Sequence, residues 1–221
     1  MSGSEPEEDP FRKMRLILEL RQSGLTDNFL LNSVEALPRE LFVSPDFAEY
    51  AYDDFALPIA CGQSMTKPSM VASIVDALAL GAPKSCSVLE IGTGTGYMTA
   101  LLSKLARRVH TIDRFRTLSE AARKRFDQLG ITNIVSQTAD GKLGLPAAAP
   151  FDRIVSTCAL EDVPKLWLDQ LKPDGFLILP VGTNENQKVM RYQKKSDGEV
   201  VSEILAPSQF LHLAEGVAKE L

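Results

Sequence analysis

Residues 87–97 read Ser87-Val88-Leu89-Glu90-Ile91-Gly92-Thr93-Gly94-Thr95-Gly96-Tyr97, and they fix the class of fold. The first five residues form a short apolar run that predicts a buried strand, and the pattern after the glycines predicts a helix from about Tyr97 to Ala106. Glycine allows positive φ angles and a close approach of the main chain to a ligand. In an open α/β sheet this turn lies at the carboxyl end of the first strand, where ligands bind. The segment therefore predicts a ligand-binding α/β domain.

Outward from this turn, predicted strands and helices alternate along the chain. The other strands are predicted at Val109–Ile112, Ile134–Thr138, Ile154–Thr157 and Phe176–Pro180. Apolar stripes predict helices around residues 118–129 and 166–171. Because the connections are short, the pattern predicts a doubly wound, mostly parallel sheet of the Rossmann-like type with helices on both faces. Two apolar runs around Ser196-Asp197-Gly198 predict an antiparallel hairpin at the edge of the sheet.

Residues 11–80 show helical periodicity without alternating strands. Helices are predicted at residues 11–23, from the N-cap Asp27 to about Leu37, and at residues 69–80. An ordered loop is expected between Pro45 and Pro68. We therefore divide the chain into three parts: an acidic leader expected to be disordered (1–10), an N-terminal helical cap with an active-site loop (11–80), and a ligand-binding core with the hairpin (81–221).

Composition restricts the partners and the compartment. The 221 residues carry a net charge of −5, and most of it comes from the acidic leader, so the nearly neutral body argues against a nucleic-acid partner. We predict no membrane segment, because no run of about 18 uncharged apolar residues is present. The acidic start is unlike a targeting peptide, so we expect the cytoplasm. Three dispersed cysteines and two histidines predict reduced thiols and no metal site. The oligomeric state stays open.

Two cofactor classes compete for the glycine turn. The dinucleotide fingerprint G-x-G-x-x-G needs a glycine where Tyr97 stands. Here the spacing is G-x-G-x-G, with Glu90 two residues before the first glycine. A carboxylate would repel a pyrophosphate, whereas a sulfonium with a zwitterionic methionine end tolerates it. The acid-first pattern also resembles the motif of class I S-adenosylmethionine-dependent methyltransferases. This resemblance implies S-adenosylmethionine rather than a nicotinamide, held by Glu90, Gly92, Thr93 and Gly94.

The ends of the next two strands supply further candidate contacts to the cofactor. Asp113, beside Arg114, ends the second strand, where a carboxylate can accept hydrogen bonds from both ribose hydroxyls. Asp140 follows the third strand and can accept the adenine amino group, while Gly141 lets the base lie flat. The alternatives are an acid favoured by a helix N-terminus at Asp113 and an ordinary Asp-Gly turn at residue 140.

Beyond the turn, further motifs follow one another in a fixed order. With the glycine turn they are Leu37-Pro38-Arg39-Glu40-Leu41-Phe42-Val43, Ala51-Tyr52-Asp53-Asp54, Leu57-Pro58-Ile59, Gly62-Gln63-Ser64-Met65-Thr66-Lys67-Pro68, Ala139-Asp140-Gly141, Ala149-Pro150-Phe151-Asp152 and Leu171-Lys172-Pro173-Asp174-Gly175. On these motifs the chain, from about Leu25 onward, resembles the protein-L-isoaspartate (D-aspartate) O-methyltransferase family. Members of that family methylate the abnormal α-carboxylate of isoaspartyl residues, which starts the repair of aged proteins.

The resemblance implies an acceptor site and one catalytic residue. Thr66 stands where the family places an active-site serine hydroxyl. The implied acceptor site comprises Ser64, Met65, Thr66, Lys67, Gln209 and Phe210, and the implied partner is a peptide or protein with isoaspartyl residues. A carboxylate acceptor is already ionised at neutral pH, so no general base is required and the enzyme works chiefly by alignment. Without the resemblance, Thr66 is read as a helix-start hydroxyl before Pro68.

Four positions depart from the family pattern and leave the acceptor open. Thr66 adds a methyl group to the serine hydroxyl, Gln209 replaces an arginine and His212 replaces a proline. Glu161 stands in a segment that is usually alanine-rich, and its charge would repel an anionic acceptor if it faced the pocket. The alternatives are therefore an O-methyltransferase for another acceptor and a donor-binding protein without repair activity. Residues 156–159 lack the N-P-P-Y-like loop of nucleic-acid amino methyltransferases.

Overall fold

The computed structural model describes residues 11–81 and 84–218, so the predicted leader lies outside the described residues. The α-helices are α1 (Arg12–Gln22), α2 (Asn28–Ala36), α3 (Pro68–Ala77), α4 (Tyr97–Leu105), α5 (Arg116–Gln128) and α6 (Lys165–Asp169). The strands are β1 (Leu57–Ile59), β2 (Gln63–Met65), β3 (Ser87–Ile91), β4 (Arg108–Asp113), β5 (Ile134–Thr138), β6 (Phe151–Ser156), β7 (Leu171–Gly182), β8 (Gln187–Lys194) and β9 (Val200–Ser208).

One seven-stranded sheet organises the α/β core. Its order is β5-β4-β3-β6-β7-β8-β9, and the first five of these strands are parallel. β8 and β9 continue the sheet as an antiparallel hairpin. The chain runs outward from β3 to β5 and then returns to the other side of β3 with β6, so the order reverses between β3 and β6. This topology confirms the predicted doubly wound sheet with its edge hairpin and places the glycine turn at the switch point.

The sheet separates two hydrophobic cores. Successive side chains of a strand point to opposite faces, so Val88 packs into the core covered by α1 to α5, whereas Leu89 packs into the other core. That second core is filled by Trp167 of α6 together with Phe151 and Leu145. Helices therefore lie on both faces, as predicted, but most of them cover one face.

The N-terminal helices form as predicted, with small changes at their ends. The Asp27 carboxylate accepts hydrogen bonds from the N–H groups of Phe29 (2.8 Å) and Leu30 (3.2 Å), so it caps α2 as expected. α3 begins one residue early, at Pro68, because proline fits the first turn of a helix. Among the described residues, no helix has the length and apolar character needed to cross a bilayer. The division of the chain at residue 80 stays a prediction.

One pair of strands was not predicted from the sequence, and the predicted starts of β6 and β7 were too late; β6 begins at Phe151 rather than at Ile154. The segment from Pro45 to Pro68, expected to be a loop, contains the small antiparallel pair β1–β2. Strands of three residues are too short for alternation to reveal them. β7 begins at Leu171 rather than at Phe176. The prediction was wrong because residues 172–175 have the composition of a turn, whereas in the structure they form an irregularity within the β6–β7 ladder.

The last glycine of the turn offers a test of the packing against α5. Gly96 has a φ of 88°, and a Cβ there would lie 2.7 Å from the ring of Phe126. Gly130 also has a positive φ, 63°, but a Cβ there would meet nothing within 4 Å. Both alanine variants carry left-handed strain, so we expect Gly96→Ala to lose roughly 1–3 kcal/mol more stability than Gly130→Ala because of overpacking. Thermal unfolding followed by circular dichroism measures this difference, and equal losses would contradict it.

Candidate active site

A cleft of about 250 Å³ opens at the carboxyl ends of β3, β4, β5 and β6. The loops after these strands, the β1–β2 hairpin and residues 210–214 form its walls. Its lining residues include Ile59, Gly62, Gln63, Ser64, Thr66, Ile91, Gly92, Gly94, Ile112, Asp113, Arg114, Phe115, Leu118, Gly141, Thr157, Cys158, Phe210 and His212. A smaller cavity of about 40 Å³ shares Ser64, Thr66, Gly92, Gly94 and Thr157 with it. The predicted donor and acceptor segments therefore meet at one site.

The glycine turn brings bare main chain to the cleft. Gly92, Gly94 and Gly96 have φ angles of 97°, 53° and 88°, which residues with a side chain rarely adopt. A Cβ on Gly92 would lie only 3.0 Å from the sulfur of Cys158, which follows β6. Burial raises the pKa of the Cys158 thiol to about 12, so this side chain is an uncharged wall. A side chain at Gly92 would close the space between the ends of β3 and β6.

Asp113 lies at the end of β4 and is only 7% exposed. Its carboxylate accepts hydrogen bonds from the main-chain N–H groups of Gly94 (2.8 Å) and Phe115 (2.9 Å). Burial raises the pKa of Asp113, while these N–H groups oppose that rise. A carboxylate has about four acceptor positions, so roughly two remain for hydroxyl groups in the cleft. This geometry supports the predicted contact to a ribose.

Glu90 is buried in β3 and faces the smaller cavity. Its carboxyl group accepts hydrogen bonds from the hydroxyls of Thr111 (2.7 Å) and Thr99 (2.5 Å). The Thr111 hydroxyl is also 2.7 Å from that of Thr93, another residue of this cavity. Burial raises the pKa of Glu90 to about 8, so the group is largely protonated at neutral pH. The predicted repulsion of a pyrophosphate by Glu90 is therefore weaker than expected, whereas the mismatch in glycine spacing at Tyr97 is unchanged.

The two residues expected near adenine are placed differently. Gly141 lines the cleft, and a Cβ there would lie 2.8 Å from Ile91, so glycine is required by packing. The indole N–H of Trp167 donates to the carbonyl oxygen of Gly141 at 3.1 Å and holds this loop from below. Asp140 is absent from the described lining of both cavities, and its carboxylate accepts a hydrogen bond from the N–H of Lys142 at 2.9 Å. The Asp-Gly turn is thus present, and the adenine contact of Asp140 stays a prediction.

Residues 209–218, which we call the C-terminal strap, run along the edge of the cleft. The guanidinium of Arg114, predicted at the donor site, donates to the carbonyl oxygen of Gly216 at 3.0 Å. Ala159, after β6, donates its N–H to Leu211 and accepts from Leu213, both at 2.8 Å. The strap therefore joins the loops after β4 and β6, and Arg114 fixes it by the hydrogen bond to Gly216.

The start of the strap is fixed by a residue that sequence reasoning missed. Gln187 is buried at the start of β8, where it accepts a hydrogen bond from the N–H of Phe210 (2.6 Å) and donates to the Phe210 carbonyl oxygen (3.1 Å). Phe210 lines the cleft as predicted for an acceptor residue, whereas Gln209 is exposed and outside the described lining. His212 lines the cleft, but Glu161 is exposed and does not. No local pattern marks Gln187, because its partner lies 23 residues away.

The other predicted acceptor residues lie on β2 and the turn after it. Ser64 and Thr66 line the cleft beside the glycine turn, and buried Met65 lines the smaller cavity. The ammonium group of Lys67 instead forms an ion pair with Asp54 at 3.0 Å. Thr66 therefore shares a space with the turn, while the charge of Lys67 is directed away from it.

The chemistry of the walls fits S-adenosylmethionine. Asp113 offers open acceptor positions for a ribose diol, and Glu90 offers a buried acid for a cationic end. Among the described lining residues, the only lysine or arginine is Arg114, and its guanidinium is engaged by the strap. The described lining therefore offers no free cationic side chain for a pyrophosphate, and the glycine spacing also departs from the dinucleotide pattern. The doubly wound sheet and this site define the class I type of S-adenosylmethionine-dependent methyltransferase.

Comparison with known proteins assigns the chain within this class. The family model of protein-L-isoaspartate(D-aspartate) O-methyltransferase matches residues 11–218. Protein-L-isoaspartate O-methyltransferase of Xanthobacter autotrophicus is 46% identical over the full length of both chains, and that of Parvibaculum lavamentivorans is 46% identical over 94% of each. The chain therefore belongs to the protein-L-isoaspartate(D-aspartate) O-methyltransferase family.

One solved structure supports this membership, and a second supports the fold. A protein-L-isoaspartate O-methyltransferase structure matches 93% of this chain and 67% of its own, with a TM-score of 0.83 and 27% identity. A Plasmodium falciparum structure in complex with S-adenosyl-L-homocysteine matches 92% of this chain and 98% of its own, with a TM-score of 0.79 and 20% identity. The second likeness concerns the fold alone.

The raised pKa of Glu90 predicts a pH-dependent stability. A carboxyl group whose pKa is raised by folding stabilises the fold fully below its unfolded pKa, near 4.5, and loses that contribution as the pH rises through about 8. Glu90→Gln keeps an acceptor for the two threonine hydroxyls but cannot ionise. We expect this variant to unfold at a higher temperature than the parent at pH 9 and at a similar temperature at pH 5. A difference that is the same at both pH values would contradict the assignment.

Proposed function

We propose that this chain transfers the methyl group of S-adenosylmethionine to the α-carboxylate of isoaspartyl residues in peptides and proteins, the first step of their repair. The observation that carries the proposal is one cleft whose lining includes Thr66, the glycine turn and Asp113. Family membership over residues 11–218 supports the same activity. S-Adenosylmethionine, when bound, supplies an electrophilic methyl group.

The residues around the cleft divide the work of holding the donor. Asp113 accepts hydrogen bonds from hydroxyls at its free positions while its other positions keep Gly94 and Phe115 in place. Gly92 and Gly94 present main chain without side chains, and Gly141 lines the same cleft, where it is the predicted neighbour of the adenine ring. Glu90 lies in the adjoining cavity, where ionisation on binding a cation would release a proton.

The acceptor side needs positioning rather than acid–base catalysis. A free α-carboxylate is ionised at neutral pH, since its pKa is about 3.5. Thr66 is the predicted catalytic residue, because its hydroxyl can donate a hydrogen bond to the acceptor carboxylate within the shared space. Ser64 and Phe210 line the same cleft, which supports their predicted contact with the rest of the peptide. Holding the acceptor carboxylate and the methyl donor in the reactive orientation lowers the activation free energy by up to roughly 7–11 kcal/mol in favourable cases.

We place this reaction in the cytoplasm. Cys61, Cys86 and Cys158 are free thiols, the state that a reducing compartment maintains. The substrate is a protein or peptide rather than a nucleic acid, since the body of the chain carries almost no net charge.

The assay that tests the function compares two isomeric peptides. The protein is incubated with labelled S-adenosylmethionine and either an isoaspartyl peptide or its normal aspartyl twin. We expect label in the isoaspartyl peptide alone, as a base-labile methyl ester. Label in neither peptide, together with heat of binding for S-adenosylhomocysteine, would favour a donor-binding protein or an enzyme for another acceptor. Equal label in both peptides would exclude repair.

Two substitutions at Thr66 separate catalysis from donor binding. Thr66→Ala removes the hydroxyl and is expected to lower kcat roughly tenfold, the value of one hydrogen bond of about 1.5 kcal/mol. Thr66→Ser keeps the hydroxyl and is expected to retain most of the parent activity. The Kd of S-adenosylhomocysteine, measured by calorimetry, should remain close to that of the parent in both variants. A large loss of affinity in Thr66→Ala would show that Thr66 belongs to the donor site instead.

A further inference from the structure

Arg39 is a fully buried cation next to the acceptor loop. Its Nε donates a hydrogen bond to the carbonyl oxygen of Ala51 at 2.7 Å, and its Nη2 donates to the carbonyl oxygen of Thr66 at 2.8 Å. Residue 39 thus reaches 27 positions along the chain to hold the main chain of the predicted catalytic residue. Hydrogen bonds from a charged donor are shorter and about twice as strong as neutral ones.

The same guanidinium contacts the donor side of the site. It lies over the ring of Tyr97, with its carbon 4.4 Å from the ring centroid. Tyr97 is the first residue of α4, directly after the glycine turn, and it lines the smaller cavity together with Thr66. One rigid side chain therefore contacts both the loop that carries Thr66 and the helix that follows the glycine turn.

The burial of Arg39 is costly for stability alone. A buried charge without a carboxylate partner loses several kcal/mol of hydration, and among the described residues no ion pair to Arg39 is present. Its Nη1 has no hydrogen-bond partner within the described part of the chain. An apolar side chain would fill this space without the hydration penalty, but it would leave the Thr66 carbonyl without its donor.

We propose that Arg39 is a positioning residue for methyl transfer, which fixes Thr66 relative to the glycine turn by joining the Thr66 carbonyl to the face of Tyr97. This inference rests on the proposed function, because it gives Arg39 its effect through Thr66. This role requires the planar, forked guanidinium, because it contacts the carbonyl oxygens of Ala51 and Thr66 and the ring of Tyr97 at the same time. A lysine at this position keeps the charge but holds fewer of these partners.

Arg125 provides a matched control. It is half-buried in α5, and it also donates from two nitrogens to two carbonyl oxygens, those of Leu41 (2.8 Å) and Thr95 (3.2 Å). It therefore ties the Arg39 segment to the glycine turn in a similar way but makes no hydrogen bond to Thr66. Arg125→Lys removes a comparable anchor without touching the acceptor loop.

The test is a pair of double-mutant cycles on the full chain, with kcat for the isoaspartyl peptide as the readout. We expect Arg39→Lys to lower kcat about tenfold in the parent and less than about twofold in Thr66→Ala, because loss of the hydroxyl removes what Arg39 positions. Arg125→Lys should have the same effect in both backgrounds. The Kd of S-adenosylhomocysteine should change less than about twofold in Arg39→Lys. Equal effects of Arg39→Lys in both backgrounds would overturn the proposal.

A second measurement does not depend on catalysis. Amide hydrogen exchange at residues 63–67 should become faster in Arg39→Lys than in Arg125→Lys, since only the first variant loosens the loop that carries Thr66. Unchanged exchange would contradict the role of Arg39, whether or not the parent enzyme is active on the peptide. Inactivity of the parent enzyme on the peptide would refute the proposed function alone. If Arg39→Lys and Arg39→Gln both failed to fold, Arg39 would serve the fold rather than the position of Thr66, and the proposal would be overturned.

Discussion

Three left-handed glycines shape the cleft at the point where the sheet order reverses between β3 and β6. Gly92, Gly94 and Gly96 turn the chain from a buried strand into a buried helix within five residues. The first approaches Cys158 after β6, and the last lies against Phe126 of α5. The N–H of the middle glycine is then free to donate to Asp113 at the end of β4. One local conformation thus joins three strand ends and leaves their polar groups facing the same cleft.

Short-range patterns therefore predicted most of this architecture. Strand–turn–helix order, the N-cap at Asp27 and the hairpin at residues 196–198 are each written within a few neighbouring positions. The β1–β2 pair and the start of β7 were missed because three-residue strands and an irregular ladder carry no clear period. Gln187 was missed for a different reason, since its partner Phe210 is distant in sequence and the hydrogen bonds depend on the finished sheet.

The four residues that depart from the family pattern fall into two groups in the structure, those that line the cleft and those that do not. Glu161 and Gln209 are exposed and lie outside the described lining of the cleft. Thr66 and His212 line the cleft, so the departures at these two positions change the cleft wall itself. The sequence alone could not make this division, because Gln209 and Phe210 are neighbours in the strap but only Phe210 lines the cleft.

Selectivity between an isoaspartyl residue and its normal twin cannot come from charge. Both carry one carboxylate with a similar pKa. They differ in its position, since the isoaspartyl carboxylate is bonded to Cα while the chain continues through Cβ, and the normal carboxylate is bonded to Cβ, outside the main chain. The site must therefore distinguish the two by the position of the peptide main chain relative to the carboxylate. This requires the enzyme's own main chain around Thr66 to keep one position. A buried cation that holds the Thr66 carbonyl supplies that rigidity, whereas a flexible lysine–carboxylate pair such as Lys67 with Asp54 stays at the surface and does not. Because this acceptor site uses no general base, its rate depends on how the acceptor is aligned, and the buried arginine contributes by fixing the main chain at Thr66.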